Sequence, residues 1–140
     1  MGATMLRQRE TITDAQIDAA FEDDRNFTEL VDAANILYIV TDVTGYFLKV
    51  SKFWEVVTGF TVKELKSKPW TAFIHPLDID KSLSLFASGP LFDKNAKAVK
   101  GFKNRYKVKG DGWVTLEWSY TEEVKNGLCM AFAIPKGVEP

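Results

Sequence analysis

The sequence predicts a single α+β domain in which two strands are followed by a helical middle and then by three more strands. Three observations carry this. Residues 36–41 and 46–50 are β-branched and aromatic runs, too short for helices of that composition, on either side of Asp42-Val43-Thr44-Gly45. Residues 51–85 show capping and helix-stop signals with no strand signal among them. From Val99 onward the apolar period becomes two.

In the first pair, Asp42 at the first turn position and Gly45 at the fourth suit a type I turn closing a hairpin. Ser51 can cap a helix over residues 52–58 that turns Phe53, Val56 and Val57 inward, with Gly59 in the left-handed position after it. Thr61-Val62-Lys63-Glu64 has capping-box spacing and heads another turn. Pro69 opens residues 70–74, and Pro76 ends that piece because it lacks an amide hydrogen and restricts His75. Asp78 is placed to cap the last helix, with Ile79, Leu83 and Phe86 on its buried side and Gly89-Pro90 at its end.

Phe102, Asn104, Tyr106 and Val108 then alternate with Lys103, Arg105, Lys107 and Lys109, the pattern of a half-buried strand with a basic outer face. Gly110-Asp111-Gly112 turns into a strand over 113–121, and Asn126-Gly127 is a type I′ signal before a strand over 128–134. Pro135, Gly137 and Pro140 are expected to end the fold. Upstream, Thr13-Asp14-Ala15-Gln16 and Asn26-Phe27-Thr28-Glu29 have capping-box spacing and predict two short helices. The second would place Phe27, Leu30, Val31 and Ala34 on one face. The expected division is a helical extension over 1–25, the domain over 26–136 and a tail over 137–140.

At 140 residues and 46% hydrophobic content, one domain can bury roughly two thirds of its unfolded surface. The single cysteine, Cys129, excludes an intrachain disulfide or a multi-cysteine zinc site and fits a reducing compartment. No apolar run approaches the roughly 18 residues of a spanning helix, and residues 1–10 lack a signal-peptide core, so the expectation is a cytoplasmic protein without membrane attachment. The net charge of −1 argues against nucleic acid, but its distribution is uneven. Seven acids and one base lie between Asp14 and Asp32, whereas seven bases and one acid lie between Asp93 and Lys109. These are two solvated faces, or an acidic segment that docks on the basic strand of its own chain or a dimer partner. Phe102 and Tyr106 face away from the lysines, so stacking and phosphate contact would not coincide on one surface.

The order of elements, with Asp42-x-x-Gly45, Thr58-Gly59-Phe60-Thr61 then Glu64-Leu65, Phe73-Ile74-His75-Pro76-x-Asp78, and Arg105-Tyr106 followed by Asp111-Gly112 and Trp118, resembles the PAS sensor domain over about residues 27 to 135. The resemblance implies a five-stranded antiparallel sheet in the order 2-1-5-4-3, short helices across one face and, often, a small-molecule pocket between them. It also implies signalling through an attached output domain or a partner kinase, and dimerisation. The departures are informative. The Gly-x-Asn-Cys-Arg-Phe-Leu-Gln word of the flavin-binding branch is absent, and residues 78–87 contain no histidine to serve as a haem ligand, so neither flavin nor haem is expected. The family's Asp-Ile-Thr exit is replaced by Ile134-Pro135-Lys136-Gly137, which leaves open an output domain beyond this chain or a stand-alone domain.

Residues able to carry chemistry are few. His75 is the only histidine and reads as part of the turn before the last helix; Cys129 reads as a small buried hydrophobe. Glu122 and Glu123 are adjacent on a strand and point to opposite faces, and no phosphate-binding glycine loop or nucleophile elbow occurs. Asn104 is the most informative polar residue, since an inward amide must be satisfied by backbone or buried water, or by a ligand. Along residues 128–134 either Cys129, Ala131 and Ala133 face inward and leave space, or Leu128, Met130, Phe132 and Ile134 do and fill it. The expectation is a non-enzymatic sensory module holding a small, largely apolar ligand among Leu83, Phe86, Asn104, Tyr106, Leu116 and Trp118, without a metal. The alternative is a ligand-free dimerisation domain.

Overall fold

The computed structural model describes Thr13, Ala15 and residues 25–120, 124 and 126–139. Of the helix expected over residues 13–24 only Thr13 and Ala15 are among the described residues; Glu122 and Glu123 lie outside them. The elements are α1 (Arg25–Ala33), β1 (Leu37–Thr41), β2 (Phe47–Val50), α2 (Phe53–Thr58), α3 (Val62–Lys66), 3-10 turns at Trp70–Phe73 and Pro76–Asp78, α4 (Ile79–Ala87), β3 (Val99–Lys107), β4 (Trp113–Tyr120) and β5 (Cys129–Glu139). The strands form one antiparallel sheet in the order β2-β1-β5-β4-β3.

The first hairpin turns as its residues dictate. Asp42 Oδ1 accepts from the Thr44 amide at 2.9 Å, and Gly45 takes φ +82°. At the other turn, Asn126 and Gly127 both adopt positive φ, 55° and 74°, as a type I′ turn requires. The capping box of α3 is complete, the Glu64 amide donating to Thr61 Oγ1 at 3.1 Å and the Thr61 amide to Glu64 Oε1 at 2.9 Å.

Two expected caps do other work. Ser51 does not cap α2; its hydroxyl accepts from the Tyr38 amide at 2.9 Å and donates to the Ile36 carbonyl at 2.6 Å, closing the start of β1 against the end of β2. Asp78 makes no cap bond at α4 and is taken up by Arg105, while His75 Nδ1 accepts from the Leu77 amide at 3.1 Å. The His75 ring also lies 4.4 Å from that of Trp113.

The main core lies between the sheet and α2 to α4, with Leu37, Ile39, Phe47, Trp54, Leu65 and Leu116 among its buried members. The inward residue of α2 is Trp54, fully buried, rather than Val56, which is 78% exposed; Phe53 and Val57 are half-buried. A second cluster on the opposite face joins Val31 of α1 to Tyr38, Val40, Leu48 and Leu128. Both faces of β1 are therefore covered, which is why all five of its residues are buried. Of the face expected on α1, Val31 is buried, whereas Leu30 is 64% exposed and Ala34 is exposed.

The last strand continues past Pro135 and Gly137 instead of ending there. β1 pairs with β5 only as far as Ala133, and between Thr115, opposite Gly137, and Leu116, opposite Pro135, β5 carries Lys136 as the extra residue of a bulge. A proline is tolerated where one neighbour has ended and its own strand bulges. The outer edge of β3 is covered as well. The His75 amide donates to the Arg105 carbonyl at 2.9 Å and the Lys109 amide to the Thr58 carbonyl at 2.7 Å, so the helical middle blunts that edge.

Gly59 ends α2 at φ +81°, and a Cβ built there would stand 3.3 Å from Lys109 Cβ. Gly59→Ala is therefore expected to lower stability by about 1–2 kcal/mol, the cost of a left-handed alanine, read as a shifted urea midpoint at unchanged slope.

A candidate small-molecule cavity between α4 and the sheet

A cavity of about 90 Å³ lies between α4 and the inner face of the sheet. Its presence follows from side-chain size: β5 turns Cys129 and Ala131 toward it, small residues at positions where leucines would fill the space. The larger residues of that strand, Leu128, Met130 and Phe132, face the second cluster, which decides the alternation that the sequence left open. Aromatic rings close much of the wall. Trp70 and Phe86 meet edge to face at 5.5 Å, and Tyr106 and Trp118 lie 5.9 Å apart.

Of the six expected contact residues, Phe86, Asn104, Tyr106 and Trp118 line this cavity. Leu116 does not; it is wholly buried in the core beneath, beside its cross-strand partner Asn104. Leu83 is half-buried against the main core and borders a shallow groove along α4 with Asp80 and Ala87. The residue that α4 does send to Asn104 is Ser82, which is 4% exposed. Its position was available in the sequence, since 79, 82, 83 and 86 follow i, i+3, i+4, i+7, but a serine among Ile79, Leu83 and Phe86 does not stand out as apolar.

Asn104 finds two side-chain partners. Its Nδ2 donates to Ser82 Oγ at 3.1 Å, and Trp118 Nε1 donates to its Oδ1 at 2.8 Å. The orientation is determined by chemistry: an indole N–H can only donate, so the amide oxygen must face Trp118 and the nitrogen Ser82. One turn earlier on the same helix, Asp78 receives Arg105 three times, from Nη2 at 2.7 Å, Nε at 2.9 Å and the backbone amide at 2.8 Å. These hydrogen bonds hold the Asp78 carboxyl down to about 2. The start and middle of α4 are thus fastened to β3 at two points. Arg105 is also removed from the basic outer face, and Lys109 pairs with Glu64 at 3.0 Å, so the charge run is partly neutralised within the chain.

Tyr106 differs from Asn104. It is 3% exposed, its ring packs on Phe47, Trp54 and Trp118, and among the described residues its hydroxyl has no hydrogen-bond partner. Burial pushes its phenol far above the ordinary range, so it is a neutral donor at every physiological pH. Burial likewise pushes Tyr120 up to about 12 and the Cys129 thiol up to about 11. Cys129 is expected to react with an aromatic disulfide reagent at pH 8 on the order of a hundredfold more slowly than free cysteine, measured by release of the coloured thiolate. Among the described residues no group of three or more His, Cys, Asp or Glu could hold a metal, and no helix is long and apolar enough to cross a membrane.

No family model matches the sequence, and no curated protein matches it. Solved structures do. A PAS domain of an HTR-like protein from Haloarcula marismortui is 16% identical with a TM-score of 0.62, covering 89% of this chain and 100% of its own. The PAS-B domain of a variant of Drosophila melanogaster Cycle, with bound glycerol, is 14% identical with a TM-score of 0.60, covering 71% and 99%. A domain of the sensory box sensor histidine kinase/response regulator from Geobacter sulfurreducens is 16% identical with a TM-score of 0.61, covering 81% and 94%. The sheet order, the helices lying across the inner face and these neighbours agree that the chain has the PAS fold.

Proposed function

We propose that this chain is a non-enzymatic sensory module of a signal-transduction protein, holding a small ligand in the cavity between α4 and the sheet. The observation that carries this is a largely apolar cavity beside a tyrosine hydroxyl that has no partner among the described residues. Apolar walls supply affinity and a few polar groups fix orientation. The fold likeness to domains of sensor kinases supports a signalling role, with an output or partner kinase receiving the signal. The two ties from α4 to β3 supply a route. A ligand that favours one placement of α4 over another shifts the balance between two helix packings, and thereby the contacts made with a second copy or an effector.

Ala131→Leu tests the reading by filling the cavity from β5. Wild-type protein is expected to show ligand-induced thermal shifts with members of a library of small neutral compounds, and the variant to lose those shifts while keeping a cooperative unfolding transition. Wild-type protein that shows no shift, and a clean apo mass by native mass spectrometry, would remove the ligand reading.

A second reading has its own support. Both ends of the Asn104 amide already have protein partners, and Ile134 of β5, paired with Glu117 on the outer side of the sheet, is 60% exposed. A ligand-free dimerisation domain would use such a face. Analytical ultracentrifugation of Ile134→Lys tests it: a dimer that dissociates in the variant, in protein that binds no compound, selects this reading.

A further inference from the structure

The chemistry of the cavity wall narrows what can occupy it, and this step rests on the sensory reading above. Among the described residues seventeen line the cavity, and none of these is Asp, Glu, Lys, Arg or His. The polar atoms present are neutral, and most are already engaged. Thr41 Oγ1 donates to the Tyr46 carbonyl at 2.9 Å, Trp118 Nε1 is held by Asn104, and Asn104 Nδ2 by Ser82. A charged ligand would surrender its hydration to a wall with no counter-charge, a penalty that ordinarily forces neutralisation or exclusion.

The donors left on this wall include three around Asn104. The Tyr106 hydroxyl has no partner among the described residues, Asn104 Nδ2 carries a second hydrogen beyond the one given to Ser82, and the Ser82 hydroxyl, which accepts there, keeps its own hydrogen. The Asn104 oxygen is occupied by the indole, so the unengaged capacity of this wall leans toward donation. A matching ligand presents an acceptor. Size sets the other limit. An engineered apolar cavity of about 150 Å³ takes up benzene, and this one measures about 90 Å³.

We infer that the part of the ligand seated in this site is uncharged, no larger than a single five- or six-membered ring, and carries a hydrogen-bond acceptor directed at Tyr106. Carboxylates, phosphates and amines that are cationic at neutral pH are excluded from it.

The test uses defined probes on the full chain. Cyclopentanone, benzene, butyrate and pyrrolidinium are titrated at pH 7 into isotopically labelled protein, with the backbone amides of Asn104 and Tyr106 and the Trp118 indole N–H as reporters. Cyclopentanone is expected to bind tightest, benzene more weakly, and the two ions to leave these signals unmoved. Tyr106→Phe is expected to weaken cyclopentanone about fivefold, the worth of one net hydrogen bond, and to leave benzene unchanged. Butyrate or pyrrolidinium binding at these reporters as tightly as cyclopentanone would overturn the inference while sparing the sensory reading. So would Tyr106→Phe protein that binds cyclopentanone as the wild type does. Wild-type protein whose reporters respond to none of the four probes overturns both. The selectivity among probes is read on wild-type protein alone, so the test stands even if Tyr106→Phe folds poorly.

Discussion

Trp54→Ala is expected to lower the free energy of unfolding by about 3–5 kcal/mol, the range for removing a large aromatic from a packed core. Trp54 is fully buried at the centre of the aromatic cluster. Its ring lies 5.5 Å from Phe47, 5.4 Å from Tyr106 and 6.0 Å from Trp118, and its Nε1 donates to the Tyr38 carbonyl at 3.2 Å. It is the side chain through which α2 grips β1, β2, β3 and β4 together. The void left by alanine cannot collapse easily, because its neighbours are rings held from strands on several sides. Trp54→Phe keeps most of the volume and loses the hydrogen bond; since the Tyr38 carbonyl retains the Ser51 amide as a donor at 3.0 Å, that variant should cost only about 1–2 kcal/mol. Urea unfolding of the two variants checks both. A loss below about 2 kcal/mol for Trp54→Ala would mean that α2 is not held through this residue.

Trp54 also marks where the sequence was least legible. The helix over α2 was predictable from its cap signals and Gly59, but its inward face was not. Phe53, Val56 and Val57 form as apolar a side as Trp54 does, and in a helix of six residues the period is too short to choose between them. What decides is the depth of the hollow above Tyr106 and Trp118, a property of strands that arrive more than fifty residues later. The sheet was far easier to read. Alternation along β3 placed Asn104 and Tyr106 inward and the lysines outward, and the order of strands came with the resemblance. The cavity was half legible. Phe86, Asn104, Tyr106 and Trp118 of the expected set line the cavity and Leu83 and Leu116 do not, because apolar character says that a residue is buried and not whether it meets a cavity or a neighbour. Ser82 and Asp78 were missed as partners of β3 for a related reason. Their roles depend on how α4 lies against a strand, which no spacing within α4 encodes.

The tie between Asp78 and Arg105 predicts a specific acid sensitivity. Asp78 is 4% exposed and accepts from the Arg105 guanidinium and amide, with Lys81 contributing at 3.8 Å. Its carboxyl is thereby lowered to about 2 in the folded protein from 3.8 when unfolded. A depressed carboxyl stabilises the fold at pH values above its unfolded value and loses that contribution as pH falls through the folded one. The stability lost between about pH 4 and pH 2 should therefore include about 2 kcal/mol from this residue alone. Asp78→Asn removes the titration while keeping the shape. At pH 7 it should be less stable than wild type by about 2–4 kcal/mol, because the guanidinium is left without its carboxylate; the half-exposed setting of Arg105 favours the lower end. The gap between the two proteins should then narrow toward pH 2, where wild-type Asp78 is itself becoming neutral. Urea midpoints measured from pH 7 down to pH 2 decide the matter. A gap that stays constant over that interval would show that Asp78 is not the group that titrates. Because Asp78 begins the helix that carries Ser82 and Phe86 to the cavity, loss of this tie should also loosen the wall, and cyclopentanone affinity should fall in Asp78→Asn without any change to a residue lining the cavity.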